Sequence, residues 1–163
     1  MTHPTPAPRR SADEQAKLEA GFKALFERGI PFNQVLGIEV VSTDPANPRF
    51  RFRMRPELVG STSHGQLHGG VTASVLDVMA GLALMLAIAE KHAHEPAAQL
   101  MPRLHRMGTL DLRIDYLRRG IGAWFEAGAT VTRLGGRIGS TQMTLHADDG
   151  TLIATGAATF VLG

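Results

Sequence analysis

The chain has 163 residues, a formal net charge of +2, no cysteine and a mean hydropathy near zero (−0.02). That length suits one domain with a sizeable core. The lack of cysteine excludes a disulfide framework and a thiol nucleophile and accords with a cytoplasmic setting, and the absence of a dense basic run argues against nucleic acid as a partner. Residues 1–12, with Pro4, Pro6 and Pro8, read as a disordered tail, without the apolar stretch of a signal peptide. Residues 13–29 form an amphipathic helix: Leu18, Phe22, Leu25 and Phe26 share a face, and Gly29 is a stop. Pro31 to Leu36 adds a short turn before a first strand, Ile38 to Thr43, which Asp44-Pro45 and Asn47-Pro48 end. Phe50, Phe52 and Met54 alternate with Arg49, Arg51, Arg53 and Arg55, a half-buried strand with a basic face that reads as solvated.

Glu57 to Leu67 is a loop, and His68-Gly69-Gly70 opens the stretch around which the chain is organised. From Val71 to Ala89 nearly every residue is apolar; only Thr72, Ser74 and Asp77 have polar side chains. Nineteen residues of this kind could span a bilayer, but the interior Asp and the amphipathic strands elsewhere favour a central helix wrapped by sheet. A helix apolar all round is expected to be buried all round. Asp77 would then be a carboxylate inside the most apolar element, needing a partner or used for chemistry. The free N–H groups at the helix start suit developing negative charge, and Asp77 follows about two turns on, on much the same side.

His92 to Pro102 reads as a polar connection with two prolines. Four strands follow: Thr109 to Leu117, with Leu110, Leu112, Ile114 and Tyr116 on one face; Ala123 to Arg133; Ile138 to His146; and Thr151 to Val161 after the Asp148-Asp149-Gly150 hairpin signal. Short turns make antiparallel neighbours. The fold class is therefore α+β, a long central helix inside a curled antiparallel sheet. There is no G-x-S-x-G elbow, P-loop or G-x-G-x-x-G fingerprint. His64 with His68, and His92 with His94, lack a third ligand at recognisable spacing, so they read as loop histidines and no metal is expected. Helix-start N–H groups that hold a polarised carbonyl, beside a carboxylate that activates water or attacks directly, suit acyl transfer.

His68-Gly69-Gly70 with Asp77 nine residues after the histidine, the strand Thr109-Leu-Asp-Leu-Arg-Ile-Asp-Tyr-Leu-Arg118, the turn Pro31-Phe-Asn-Gln-Val-Leu-Gly-Ile38 and the final Thr151-Leu-Ile-Ala-Thr-Gly-Ala-Ala-Thr159 resemble the hotdog-fold acyl-CoA thioesterases of the phenylacetate-pathway type. The resemblance implies a single hotdog domain over residues 30–163. It also implies a homodimer, or a dimer of dimers, with active sites at the subunit interface. Asp77 would be general base or nucleophile, Gly69 and Gly70 would stabilise the oxyanion, His68 would orient the loop or polarise the thioester, and Thr109, reached from the partner subunit, would position water. Arg118 and Arg119 would meet coenzyme A phosphates. Met79, Leu82 and Met85 would line an acyl pocket. Coenzyme A enters as part of the acyl-CoA substrate; no separate cofactor is implied. One departure is that Thr62 stands nearest the position where many relatives carry an Asn or Gln. This keeps two alternatives open: a non-catalytic acyl-CoA binder on the same fold, and a hotdog dehydratase or hydratase.

Overall fold

The alternating strands of the C-terminal half need a surface to cover, and the apolar helix supplies it. The structure, a computed structural model, describes residues 8–163. In chain order it contains α1 (Ala12–Ala24), a π-turn (Leu25–Gly29), α2 (Pro31–Leu36), β1 (Glu39–Ser42), β2 (Arg49–Arg53), a 3-10 turn (Pro56–Leu58), β3 (Val59–Ser61) and β4 (Gln66–Leu67). Then come α3 (Gly69–Lys91), α4 (Ala97–Leu104), β5 (Gly108–Tyr116), β6 (Trp124–Leu134), β7 (Ile138–Ala147) and β8 (Leu152–Val161). Six strands form one antiparallel sheet in the order β1-β2-β6-β7-β8-β5, and β3 pairs with β4 in a separate ribbon. The sheet curves round α3, as the sequence predicts.

Inward-facing residues of the strands pack on α3. Phe50, Phe52, Phe125, Met143 and Leu145 meet Val75, Leu76, Met79, Leu82 and Leu84 in one core, all essentially buried. Phe52 stacks on Phe125 at 5.3 Å, and Phe26 of the π-turn tilts against Phe50 at 5.5 Å. Burying such side chains stabilises the fold by about 1.5–3 kcal/mol each. By length and composition α3 could cross a membrane, yet 61% of its most apolar window is buried within the fold. The burial is not complete: Gly70 is exposed, and Ala73, Ser74, Asp77, Val78 and Met85 are half-buried along one side. That corrects the expectation of a helix covered all round. One flank lacks a layer.

The tail reading for residues 1–7 lies outside the described residues. Residues 8–11 lie against the far end of α3. There the Arg10 guanidinium donates to the Ala89 carbonyl at 2.6 Å and the His92 carbonyl at 2.8 Å. These are last-turn carbonyls that the helix itself cannot satisfy. Ser11 caps α1 through the Glu14 N–H.

Three local expectations change. The connection after His92 contains α4, whose Leu100 and Leu104 are buried; Pro102 is accommodated within it. The 57–67 loop contains the β3–β4 ribbon. In β5 the register slips between Thr109 and Asp111, so Thr109 lies opposite Phe160 and Asp111 opposite Thr159. A bulge re-aims the side chains around it. Thr109 therefore faces the helix, while Leu110, predicted for the apolar face, is 59% exposed. The basic strand does serve as a surface: Arg49 and Arg51 pair with Glu126, and Arg51 lies 4.2 Å over the Trp124 ring.

Candidate active site

The start of α3 is held by its neighbours in space. The Leu67 N–H donates to the Gly120 carbonyl and the His68 N–H to the Leu58 carbonyl, each at 2.8 Å. Close packing at this point needs a glycine: a Cβ on Gly60 would lie 2.7 Å from the His68 Cα. His68, in extended conformation, is the N-cap of α3; its Nδ1 accepts the Gly70 N–H at 2.9 Å. That bond puts the proton of a neutral imidazole on Nε2. The His68 carbonyl accepts the N–H groups of Val71 and Thr72. Among the described residues, the Gly69 N–H finds no acceptor.

This arrangement divides the two glycines, which the sequence reading treats together. Gly70 has its N–H occupied by His68, so the Gly69 N–H is the donor left for an anion. Tyr116, at the end of β5, donates its hydroxyl to the Gly69 carbonyl at 2.9 Å. The sequence shows Tyr116 only as one member of a strand face and gives no signal of this contact. Gly69, Thr72, Tyr116, Arg118 and Arg119 border a cavity of about 390 Å³ with Gln66, Leu67, Gly120 and Ile153. Arg118 is steadied by a bond from its Nη1 to the Leu152 carbonyl at 3.2 Å. A phosphate-bearing arm could enter between these guanidinium groups and reach the helix start.

Asp77 stands elsewhere. Its Oδ1 accepts the Thr109 hydroxyl at 2.8 Å, within the same chain. The partner subunit is not needed to bring Thr109 to Asp77, which corrects that expectation, and the β5 bulge supplies the reason. Asp77 does not border the 390 Å³ cavity. Thr62 lies in another groove, of about 450 Å³, with Met54, Arg55, Pro56, Val59 and Gly65, apart from both the Gly69 and Asp77 groups. Met79 and Leu82 are fully buried core side chains, so as placed here they pack the core instead of facing an acyl chain; Met85 is half-buried on the uncovered flank.

The histidines divide likewise. His64 Nδ1 meets Ser63 Oγ at 2.9 Å in the loop before β4. His92, His94 and Glu95 bring their ligating atoms within 4.8 Å of one another. The Glu95 carboxylate is nevertheless engaged by Arg103 at 2.6 Å and by His92 at 2.9 Å. Desolvation pushes Glu95 up, but the Arg103 hydrogen bond and charge, with His92, outweigh it and hold the carboxyl below its usual range. An arginine already neutralising the carboxylate makes this a poor cation site.

The sequence profile of the thioesterase superfamily matches residues 64–154, which include the helix start, Asp77 and Thr109. A medium/long-chain acyl-CoA thioesterase, YigI, of Salmonella typhimurium is 39% identical over 139 residues, covering 85% of this chain and 90% of that protein. Its namesake in Escherichia coli K12 is 37% identical over the same shares. A crystal structure from Shewanella oneidensis, of a protein related to the thioesterase superfamily, superposes with a TM-score of 0.87 at 34% identity, covering 94% of this chain and all of that one.

Proposed function

Because the chain belongs to the thioesterase superfamily, we propose how its two separate groups, Gly69 with His68 and Asp77 with Thr109, divide the labour of acyl-CoA hydrolysis. The chain is an acyl-CoA thioesterase. The thioester carbonyl oxygen sits on the Gly69 N–H at the positive end of α3, with His68 Nε2–H beside it. Asp77, held by Thr109, takes a proton from water as the water oxygen attacks the carbonyl carbon. The tetrahedral intermediate collapses, the C–S bond breaks, and the thiolate takes the proton that Asp77 holds and leaves as coenzyme A, with the water oxygen kept in the free acid. Water is the only co-reactant, so the reaction as written needs no metal or redox cofactor. Arg118 and Arg119 take the phosphates of coenzyme A at the mouth of the cavity. The curated relatives suggest medium or long acyl chains as substrates, and the cysteine-free sequence suits the cytoplasm.

The observation that carries this reading is the separation of the two groups. Asp77 stands eight residues beyond Gly69 on one helix, about 12 Å along its axis. A carbonyl on the Gly69 N–H, an attacking water and the carboxylate make three contacts of roughly 3 Å, about 9 Å end to end. On this reading one chain holds two half-sites, and a second copy completes them. β5 is an edge strand of the sheet, with Thr109 and Asp77 near its start and Tyr116 and Gly69 at its end. Antiparallel pairing of two β5 edges would set the Asp77 end of one copy against the Gly69 end of the other. It would also cover an otherwise unprotected edge, exposed Leu110 and the bare flank of α3.

The direct test is thiol release from short, long and aromatic acyl-CoAs by wild type and Asp77→Asn. Wild-type turnover with a loss of about a hundredfold or more in the folded variant supports Asp77 as general base. Tight binding without thiol release would instead make the protein an acyl-CoA binder. A changed double bond in the acyl chain would make it a hydratase.

A further inference from the structure

The peptide unit joining Gly69 to Gly70 is gripped at both ends. Its carbonyl oxygen accepts the Tyr116 hydroxyl at 2.9 Å, and its N–H donates to His68 Nδ1 at 2.9 Å. A peptide is planar, so fixing its O and its H fixes the plane. The grip falls between two glycines, the residues with the greatest backbone freedom. Neither glycine has a side chain of its own to hold it.

We propose that Tyr116 is a positioning residue for hydrolysis: its hydroxyl, acting with His68, locks the Gly69–Gly70 peptide so that the adjacent Gly69 N–H is aimed at the oxyanion. Three observations converge on it. The phenol spans from β5 to the helix start, 47 residues away in sequence. Its ring lies against Gly69, where an added Cβ would meet Tyr116 Cε1 at 3.4 Å. Gly69 and Tyr116 border the same cavity, and within one chain Tyr116 is 56% exposed. Within its own chain the ring fills no core, and its hydroxyl is directed at one carbonyl. Hydrogen bonds at both ends also polarise the peptide cooperatively. A misplacement of about 1 Å at a reacting group can cost as much as a hundredfold in rate.

The proposal rests on the assignment of the Gly69 N–H to the oxyanion, and one variant read beside wild type separates the claims. Tyr116→Phe removes the hydroxyl and keeps the ring. The expected result is a fall in kcat of about tenfold with KM and melting temperature unchanged, because the bond serves the transition state. A rise in KM with kcat intact would mean the hydroxyl serves substrate binding and not the transition state, and would overturn the proposal. Unchanged kcat and KM would overturn it too, while leaving the thioesterase assignment standing. A wild type inactive on every acyl-CoA would instead remove the assignment beneath it.

Discussion

Gly69→Pro removes the proposed oxyanion donor and sets the proline Cδ where its proton pointed. Gly69 is the first residue of α3, the one helical position where proline is favoured. His68 before it lies at φ −66° and ψ 134°, the extended region that a residue preceding proline adopts anyway. The added Cβ meets the Tyr116 ring at 3.4 Å, an ordinary contact. The substitution thus removes one N–H and leaves the helix, His68 and Asp77 in place. Losing a single oxyanion donor costs about 100–1,000-fold in kcat, roughly 3–4 kcal/mol. The melting temperature should hold or rise, because proline restricts the unfolded chain. The assay is thiol release from a saturating acyl-CoA, with circular dichroism as a control for fold. Near-wild-type kcat in a folded Gly69→Pro protein would refute the Gly69 N–H as oxyanion donor.

The same variant tests the division between copies. Gly69→Pro and Asp77→Asn homodimers each carry a lesion in both sites. A mixed dimer has one site with both lesions and one with neither. Equal mixing after dissociation makes half the dimers mixed, so activity should recover to about one quarter of wild type. No recovery, with mixed dimers verified by mass spectrometry, would place the whole site within one chain.

Two other perturbations follow from the geometry. Thr109→Val keeps the shape of the side chain but removes the 2.8 Å bond to Asp77; kcat should fall about tenfold at this exposed position, with melting unchanged. A steady-state comparison at several pH values checks this. Glu95 has its pKa lowered in the fold, so its stabilising contribution is present above the unfolded carboxylate pKa and is lost as pH falls through the folded one. Acid titration of Glu95→Gln should consequently show a shallower loss of stability at the acid limb than wild type; an identical acid limb would dismiss the Arg103–Glu95 contact as a contributor.

Periodicity made much of this fold legible before any coordinates. The long apolar run reads as a central helix and alternation marks four C-terminal strands; β6, β7 and β8 pair in succession as their short turns imply, but β5 pairs with β8 and not with β6, which corrects the expectation of four successive neighbours. What escaped were features that depend on departures from regularity. The β5 bulge turns Thr109 toward Asp77 and leaves Leu110 exposed, and no alternation rule marks where a residue is inserted. Pro102 and Pro96 read as helix breakers, yet amphipathic Leu100 and Leu104 draw α4 onto the core despite Pro102. At the site, Asp77 is conspicuous in sequence because it is polar in an apolar run. Tyr116 is not, because a tyrosine in a strand is unexceptional until its hydroxyl is seen on Gly69. Thr62, nearest the position where many relatives carry an amide, lies in a separate groove beside the β3–β4 ribbon.

The order of the strands has a consequence for biosynthesis. α3 precedes β5–β8 in the chain, while β2 must wait for β6, 75 residues later in the Arg51–Glu126 pairing, to find its inner neighbour. On the ribosome, a 23-residue helix with a window hydropathy of 2.1 therefore emerges before most of the sheet that will bury it. At ordinary translation speeds, the residues from β5 through β8 take about 3–10 s to be made. For that interval the helix stays uncovered, so folding of the nascent chain depends on how soon the strands follow it.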